Sequence, residues 1–330
     1  MYSEFYGLAT RPFQLTPDAR FFFESTVHRQ AMAYLVYGLH HAEGFIIITG
    51  EVGAGKTILV DNLLATINES SFVTAKIVTS QLGGDDLLHM VAAGFGVAKE
   101  GLAKGSLLQR ISDFVLSQHR DGKRVLLIVD EAQNLSFEAL EELRMLSNIV
   151  VDRTMALQSF LLGQPQFRTI LGSPGLEQLR QRVTAAYHLG PLDEAETRAY
   201  IEHRLRRAEW KGDPHFTEAS FPVIYQHTEG VPRRINTLCS RLLLYGFLEQ
   251  LHTLTASAVD KVANDLREEI AVVASPPELP AIDAATGALG AAFPAVVERI
   301  AALEKNIDRH DRLIRRAIEI AAHYFQGERP

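Results

Sequence analysis

Two registers of apolar residues run along this chain. Short, almost wholly apolar runs at 45–49, 72–78, 125–129 and 160–162 have the length and composition of buried strands. Between them, from 28–41 onward, apolar positions return every three to four residues, the spacing of a helix with one buried face. Strands apolar on both faces and alternating with helices predict a parallel sheet covered on both sides. After residue 192 the strand-like runs stop. Segments 194–210, 217–228, 232–251 and 256–271 all have helical spacing, so a small helical domain is expected, with Asp193 and Glu196 forming a capping box at its first helix. Ahead of the first strand, residues 1–26 carry Pro12, Pro17 and Phe21-Phe22-Phe23, an irregular arm whose aromatics need a surface to cover.

Toward the C-terminus the pattern changes again. Residues 272–292 hold Pro276, Pro277, Pro280 and alanine-glycine repeats, the composition of a linker. Beyond it Val296, Ile300, Leu303, Ile307, His310, Ile314, Ala317 and Ala321 are spaced alternately by four and three, a seam of about four heptads. That seam suits a coiled coil or one amphipathic helix folding back on its own body. The expected division is therefore 1–192 for the arm and α/β core, 193–271 for a helical lid, 272–292 for a linker and 293–330 for a C-terminal helix.

Composition narrows the class without naming a function. The 330 residues are 47% hydrophobic and 22% charged, as in a water-soluble globular protein of two or three units. A formal net charge of -7 weighs against nonspecific coating of nucleic acid or anionic membrane, although local basic patches stay compatible with it. The single cysteine, Cys239, stands among Leu238 and Leu242, which predicts a buried structural thiol and a reducing compartment. No secretory leader pattern opens the chain and no run of eighteen apolar residues interrupts it. A cytoplasmic protein, peripheral at the inner membrane through a partner, is the expectation.

The chemistry begins at Gly50-Glu51-Val52-Gly53-Ala54-Gly55-Lys56-Thr57, which fits the phosphate-binding pattern G-x-x-x-x-G-K-[ST] directly after an apolar run. Gly50, Gly53 and Gly55 let backbone N–H groups approach phosphate oxygens, and the helix predicted at 58–67, opening at Ile58, favours anions at its start. Lys56 supplies a point charge for the β- and γ-phosphates and Thr57 a hydroxyl for Mg²⁺, so ATP with Mg²⁺ is the expected ligand pair. About seventy residues on, Val125-Leu126-Leu127-Ile128-Val129 delivers Asp130 and Glu131 at the end of a strand. Asp130 is expected to hold the metal, and Glu131 to deprotonate the water that attacks the γ-phosphate.

With these motifs the chain resembles the AAA+ ATPases, and more closely the branch of ExeA-like (general secretion pathway protein A) ATPases and the related ATPase of exosortase/PEP-CTERM exopolysaccharide loci, the XrtA systems. The resemblance runs over Tyr6-Gly7-Leu8, Pro12-Phe13, Thr16-Pro17-Asp18, Tyr34-Leu35, Tyr37-Gly38-Leu39, the phosphate loop, Asp130-Glu131-Ala132-Gln133, 140–148 and Leu162-Gly163-Gln164-Pro165. It covers residues 1 to about 270. It implies that Gln164 acts as sensor 1 near the γ-phosphate. It implies that Arg180 or Arg182 is an arginine finger reaching a neighbouring subunit's site, and that Arg233, in Gly230-Val231-Pro232-Arg233-Arg234-Ile235-Asn236, is sensor 2 on a lid helix. The arm around 15–23 is a candidate cover for the adenine, with packing on the core as the alternative. ExeA-like proteins continue into a membrane span and a wall-binding segment where this chain has its linker and heptads, so peptidoglycan binding is not carried over.

Three functions follow as expectations. The first is an ATP-hydrolysing homo-oligomer, such as a ring, that serves secretion or exopolysaccharide export and docks a membrane-associated partner through its tail. The second is a MuB- or TniB-like DNA-binding ATPase for transposition target selection, with Arg198, Arg204, Arg206, Arg207 and Lys211 as a basic helical stretch. The third is a nucleotide switch with little turnover, against which Glu131 argues.

Overall fold

The computed structural model describes residues 1–274, apart from Pro17, 42–43, 68–69, 80–82, Glu100 and 152–153. The linker from 275 and the heptad segment 293–330 lie outside the described residues. A short α1 (Tyr2–Phe5) and the arm lead into α2 (Thr26–His41), and the core follows as β1 (Phe45–Gly50), α3 (Lys56–Thr66), β2 (Phe72–Val78), α4 (Gly84–Gly94), α5 (Lys104–Arg120) and β3 (Arg124–Asp130). Next come α6 (Phe137–Leu146), the pair β4 (Val150–Val151) and β5 (Thr154–Met155), then β6 (Leu157–Gly163), α7 (Gln166–Leu171), α8 (Glu177–Arg180) and β7 (Val183–Leu189).

The main sheet is parallel, in the order β2-β3-β6-β1-β7. Period-two alternation explains why its central strands are apolar throughout. Phe45 and Ile47 of β1, Val125, Leu127 and Val129 of β3, and Leu157 and Leu161 of β6 enter one core layer beneath α4 to α8. Ile46 and Ile48, Leu126 and Ile128, and Phe160 and Leu162 enter the other, against α2 and α3. All three strands therefore end on the same sheet edge, where the backbone turns away and leaves room for a ligand.

The lid comprises α9 (Glu194–Arg207), α10 (Ser220–Thr228), α11 (Pro232–Leu248) and α12 (Ala256–Ala274). Strands do not stop at 192 as the pattern predicts. β8 (His215–Phe216) and β9 (Thr253–Leu254) form a two-stranded parallel pair inside the lid, and two residues are too few to leave a periodic signal. Helix α12 also runs to Ala274, past the expected end at 271. Cys239 is fully buried and burial pushes its thiol pKa up, as a structural thiol requires.

The arm, grouped by sequence with the core, is packed largely into the lid. Tyr6, Leu8 and Phe13 are buried in the lid's core, and the Tyr6 hydroxyl donates to the Leu251 carbonyl at 3.0 Å. The capping box is only half formed. Asp193 accepts from the Glu196 amide at 2.7 Å, but the Glu196 carboxylate reaches across to accept from the Thr26 amide at the start of α2. Core and lid thus meet through this contact, the arm and the connector at 189–193. Gly230 sets the connector's path: its φ is +69° and an added Cβ would stand 1.9 Å from the Leu192 carbonyl oxygen.

Candidate nucleotide site

The loop between β1 and α3 takes the shape its glycines allow. Gly53 and Gly55 adopt φ of +84° and +100°, which an L side chain rarely adopts, and Gly55 caps α3. An added Cβ on Gly53 would stand 2.1 Å from Arg233 Cβ, so the predicted lid arginine already lies on the loop, and its amide donates to the Gly53 carbonyl at 3.2 Å. Lys56 is 6% exposed, and its Nζ donates to the carbonyls of Gly50 at 2.7 Å and Glu51 at 3.0 Å. Burial lowers its pKa, opposed by the charges of Glu131, Asp130 and Glu51. Ala54 is buried and acts through its backbone, whereas Glu51 and Val52 are exposed.

Across the sheet edge, the Thr57 hydroxyl donates to Asp130 Oδ2 at 2.7 Å, and Asp130 Oδ1 accepts from the Glu131 amide at 2.9 Å. Thr79, at the end of β2, fastens this strand end, its hydroxyl donating to the carbonyls of Asp130 and Glu131 at 2.9 and 2.7 Å. Glu131 adopts the left-handed region with φ +56°, a sparsely populated conformation for a non-glycine residue that is held here by its surroundings. Gln133 Nε2 donates to Glu131 Oε2 at 2.6 Å, Gln164 Nε2 donates to the same oxygen at 3.2 Å, and Gln133 Oε1 accepts from the Gln164 amide. Burial works to raise the Glu131 pKa, but the two amide donors and the Lys56 charge outweigh it and hold the carboxyl below its ordinary value. The group is a carboxylate aimed at the loop.

A cleft of about 320 Å³ runs from this carboxylate to the lid. Its walls include Val52, Gly53, Gly55, Lys56, Thr57 and Ile58 from the loop, Glu131, and Arg233 and Asn236 from α11. The arm contributes Leu15, Phe22 and Phe23. The two other arginines lie elsewhere. Arg180 donates to the carbonyls of Leu171 and Ser173 and pairs with Glu177 at 3.3 Å, and Arg182 donates to Ser147 and Asn148. Neither lines this chain's own cleft.

Gln133, Thr79 and His28 carry roles that motif reading did not assign. Gln133 follows Glu131 by two residues in a tight turn, so only the turn's geometry reveals it. His28 is 4% exposed, bonded at Nδ1 to the Ser25 hydroxyl at 2.6 Å and to the Ala54 backbone, and it packs under Gly55. No sequence signal marks it. Burial lowers the pKa of His28 and, with Arg207, that of His203. Unfolded histidines take up protons near pH 6.5 while these folded ones resist until lower pH, so the unfolded state binds more protons there and stability falls as pH drops. The melting temperature of the unliganded protein is expected to decline between about pH 6.5 and 5, with a shallower slope in His28→Gln.

For a metal, the donors present are a hydroxyl and a carboxylate, Thr57 and Asp130. Such hard oxygens suit Mg²⁺, which takes one or two protein ligands and completes its shell with water and phosphate. No group of three or more His, Cys, Asp or Glu residues placed to hold a metal ion occurs among the described residues.

An AAA domain family matches residues 39–171. General secretion pathway protein A of Aeromonas hydrophila is 36% identical over 267 residues, 81% of this chain and 48% of that protein. Mu-like prophage FluMu DNA transposition protein B of Haemophilus influenzae is 31% identical over 129 residues, 39% of this chain and 42% of that protein. The chain thus spans about half the length, or less, of the curated relatives it matches. Among solved structures, the Aeropyrum pernix ORC2 protein in its ADPNP-ADP complexes superposes with a TM-score of 0.58 at 17% identity, over 77% of this chain and 71% of that one. With its parallel sheet, phosphate loop and Asp130-Glu131 strand end, the chain has a P-loop AAA+ α/β fold, and it is similar in sequence to general secretion pathway protein A.

Proposed function

We propose that this chain binds ATP with Mg²⁺ and hydrolyses it to ADP and phosphate, as a homo-oligomer whose neighbour completes the site. The observation that carries the reading is the Glu131 carboxylate, held by Gln133 and Gln164 at the mouth of a glycine-rich loop with Lys56 inside it. A carboxylate kept ionised and oriented by two amide donors is suited to take the proton from an attacking water. Lys56 and the amides of Gly53 to Thr57 hold the phosphates, and Arg233 approaches from the lid. Thr57 and Asp130 would hold Mg²⁺, which would supply positive charge for the phosphate oxygens when bound.

In this reading Arg180 or Arg182 reaches a second copy's site and makes hydrolysis depend on assembly. Similarity to general secretion pathway protein A supports service in secretion, and an exosortase-type exopolysaccharide locus is the narrower proposal. A membrane-associated partner belongs to this reading; no described helix is long and apolar enough to cross a membrane. The test is steady-state ATP hydrolysis against protein concentration with mass measured in parallel. Specific activity is expected to rise with assembly, and Arg180→Ala or Arg182→Ala to lower it about 10³-fold while the assembly persists. Activity independent of assembly overturns the trans finger, and absent activity favours a nucleotide switch.

The transposition reading has support from the match to the prophage protein. Its basic stretch is largely engaged within the lid: Arg198 pairs with Glu202 and Glu218, Arg206 with Glu202, and Arg204 is buried. Duplex DNA binding with ATP at low salt would revive it.

A further inference from the structure

One wall of the cleft holds a buried cation with no acid beside it. Arg204 is 6% exposed and forms no ion pair with a carboxylate among the described residues. Its Nε donates to the Pro12 carbonyl at 2.5 Å, Nη2 to the Gln14 carbonyl at 3.4 Å and Nη1 to the Tyr200 hydroxyl at 3.0 Å, with the guanidinium 4.9 Å from the Phe21 ring. A guanidinium only donates, so the Tyr200 oxygen must accept, and its own hydrogen is left to travel on. It does so: the Tyr200 hydroxyl donates to Asn236 Oδ1 at 2.9 Å. Burial raises the Tyr200 pKa, which keeps that hydrogen in place.

This chain of donors orients the Asn236 amide without ambiguity. Its oxygen is taken, so its NH₂ end points away from Tyr200, and no described residue accepts from it. Asn236 is 8% exposed and lines the cleft. The amide nitrogen therefore faces the cleft with its hydrogens free for an acceptor that a ligand or water supplies. Asn236 lies three residues after Arg233 on α11 and so on the same helix face. Arg233 covers Gly53 at the phosphate end, whereas Asn236 is bonded to Tyr200, whose ring lies 5.7 Å from that of Phe23; both rings line the cleft, an aromatic surface that suits a base and sugar.

We propose that Asn236, held by the Arg204–Tyr200 relay, donates its amide to an acceptor on the nucleoside half of the bound nucleotide, and so makes the lid a reader of that half. The inference rests on the nucleotide-binding reading of this cleft. Through the same arginine, the contact is tied to the arm at Pro12 and Gln14, so a nucleotide engaged at Asn236 stiffens the path from lid to arm.

The test is Asn236→Asp. The replacement keeps an acceptor for Tyr200 and brings a negative charge toward the lone Arg204, so the unliganded fold is retained, but the donor is lost and an acceptor faces the ligand. ATP binding by calorimetry is expected to weaken about tenfold or more, a loss typical of one buried hydrogen bond. The rise in melting temperature on adding ATP, read within each variant, is expected to shrink, which reports binding even if the variant itself melts lower. Inorganic triphosphate separates the two ends of the ligand: its affinity is expected to be the same in both proteins. Unchanged ATP affinity in Asn236→Asp overturns the proposal, and an equal loss with inorganic triphosphate overturns the assignment to the nucleoside half. Wild-type protein that binds no ATP removes the nucleotide reading itself, and the inference with it.

Discussion

Glu131→Gln is expected to abolish turnover while leaving ATP bound. A glutamine keeps the shape of the side chain but cannot take a proton, and loss of a positioned base slows proton transfer by about 10²- to 10⁴-fold. Binding is expected to persist because Lys56, Thr57 and the loop amides are unaffected. The Gln133 and Gln164 amides can still donate to the new carboxamide oxygen, so the sheet edge keeps its arrangement. The measurement is single-turnover hydrolysis alongside calorimetric affinity for ATP. A variant that hydrolyses at the wild-type rate would mean that the attacking water gives its proton to another group. The lowered pKa of Glu131 adds a pH signature, with wild-type activity falling only as pH drops through the depressed carboxyl pKa, since the base must be ionised to act.

Lys56→Met is expected to have the second large effect, on binding. In the unliganded protein the Lys56 ammonium is buried, its pKa is lowered, and it is bonded to the Gly50 and Glu51 carbonyls. Those bonds are roughly offset by the desolvation of the charge, so a methionine of similar volume should change unliganded stability by only about 1 kcal/mol. Against a triphosphate the balance differs. Removing one member of a close, desolvated charge pair costs about 2–5 kcal/mol, so ATP affinity is expected to fall about 100-fold or more. Thermal melting with and without ATP reads both effects in one experiment. A large loss of unliganded stability would show that the lysine's bonds within the loop dominate.

These two residues were legible because their signals are local. The loop from Gly50 to Thr57 lies between a strand buried on both faces and the helix it opens, and two of its glycines, Gly53 and Gly55, occur where φ is positive. Asp130 and Glu131 follow a strand just as plainly marked. Strand β7 was missed for the opposite reason. It is an edge strand whose exposure alternates, and Thr184, Ala185, Ala186 and His188 break the apolar run that identified β1, β3 and β6. The antiparallel pair of β4 and β5 has two residues in each strand and leaves no period to read.

Glycine spacing, the apolar strands and the helical periods after 192 carry the fold class and the phosphate loop, because burial of each face is written in neighbouring residues. The partners that make the site work come from distant parts of the chain. Thr57 meets Asp130, Glu131 meets Gln164, and Arg204 meets Pro12 only because the parallel sheet brings its strand ends to one edge and the arm crosses to the lid. Side-chain periodicity records whether a residue is buried, and it carries no record of which other residue it faces, so the held carboxylate, the His28 prop and the oriented Asn236 amide emerge from packing alone.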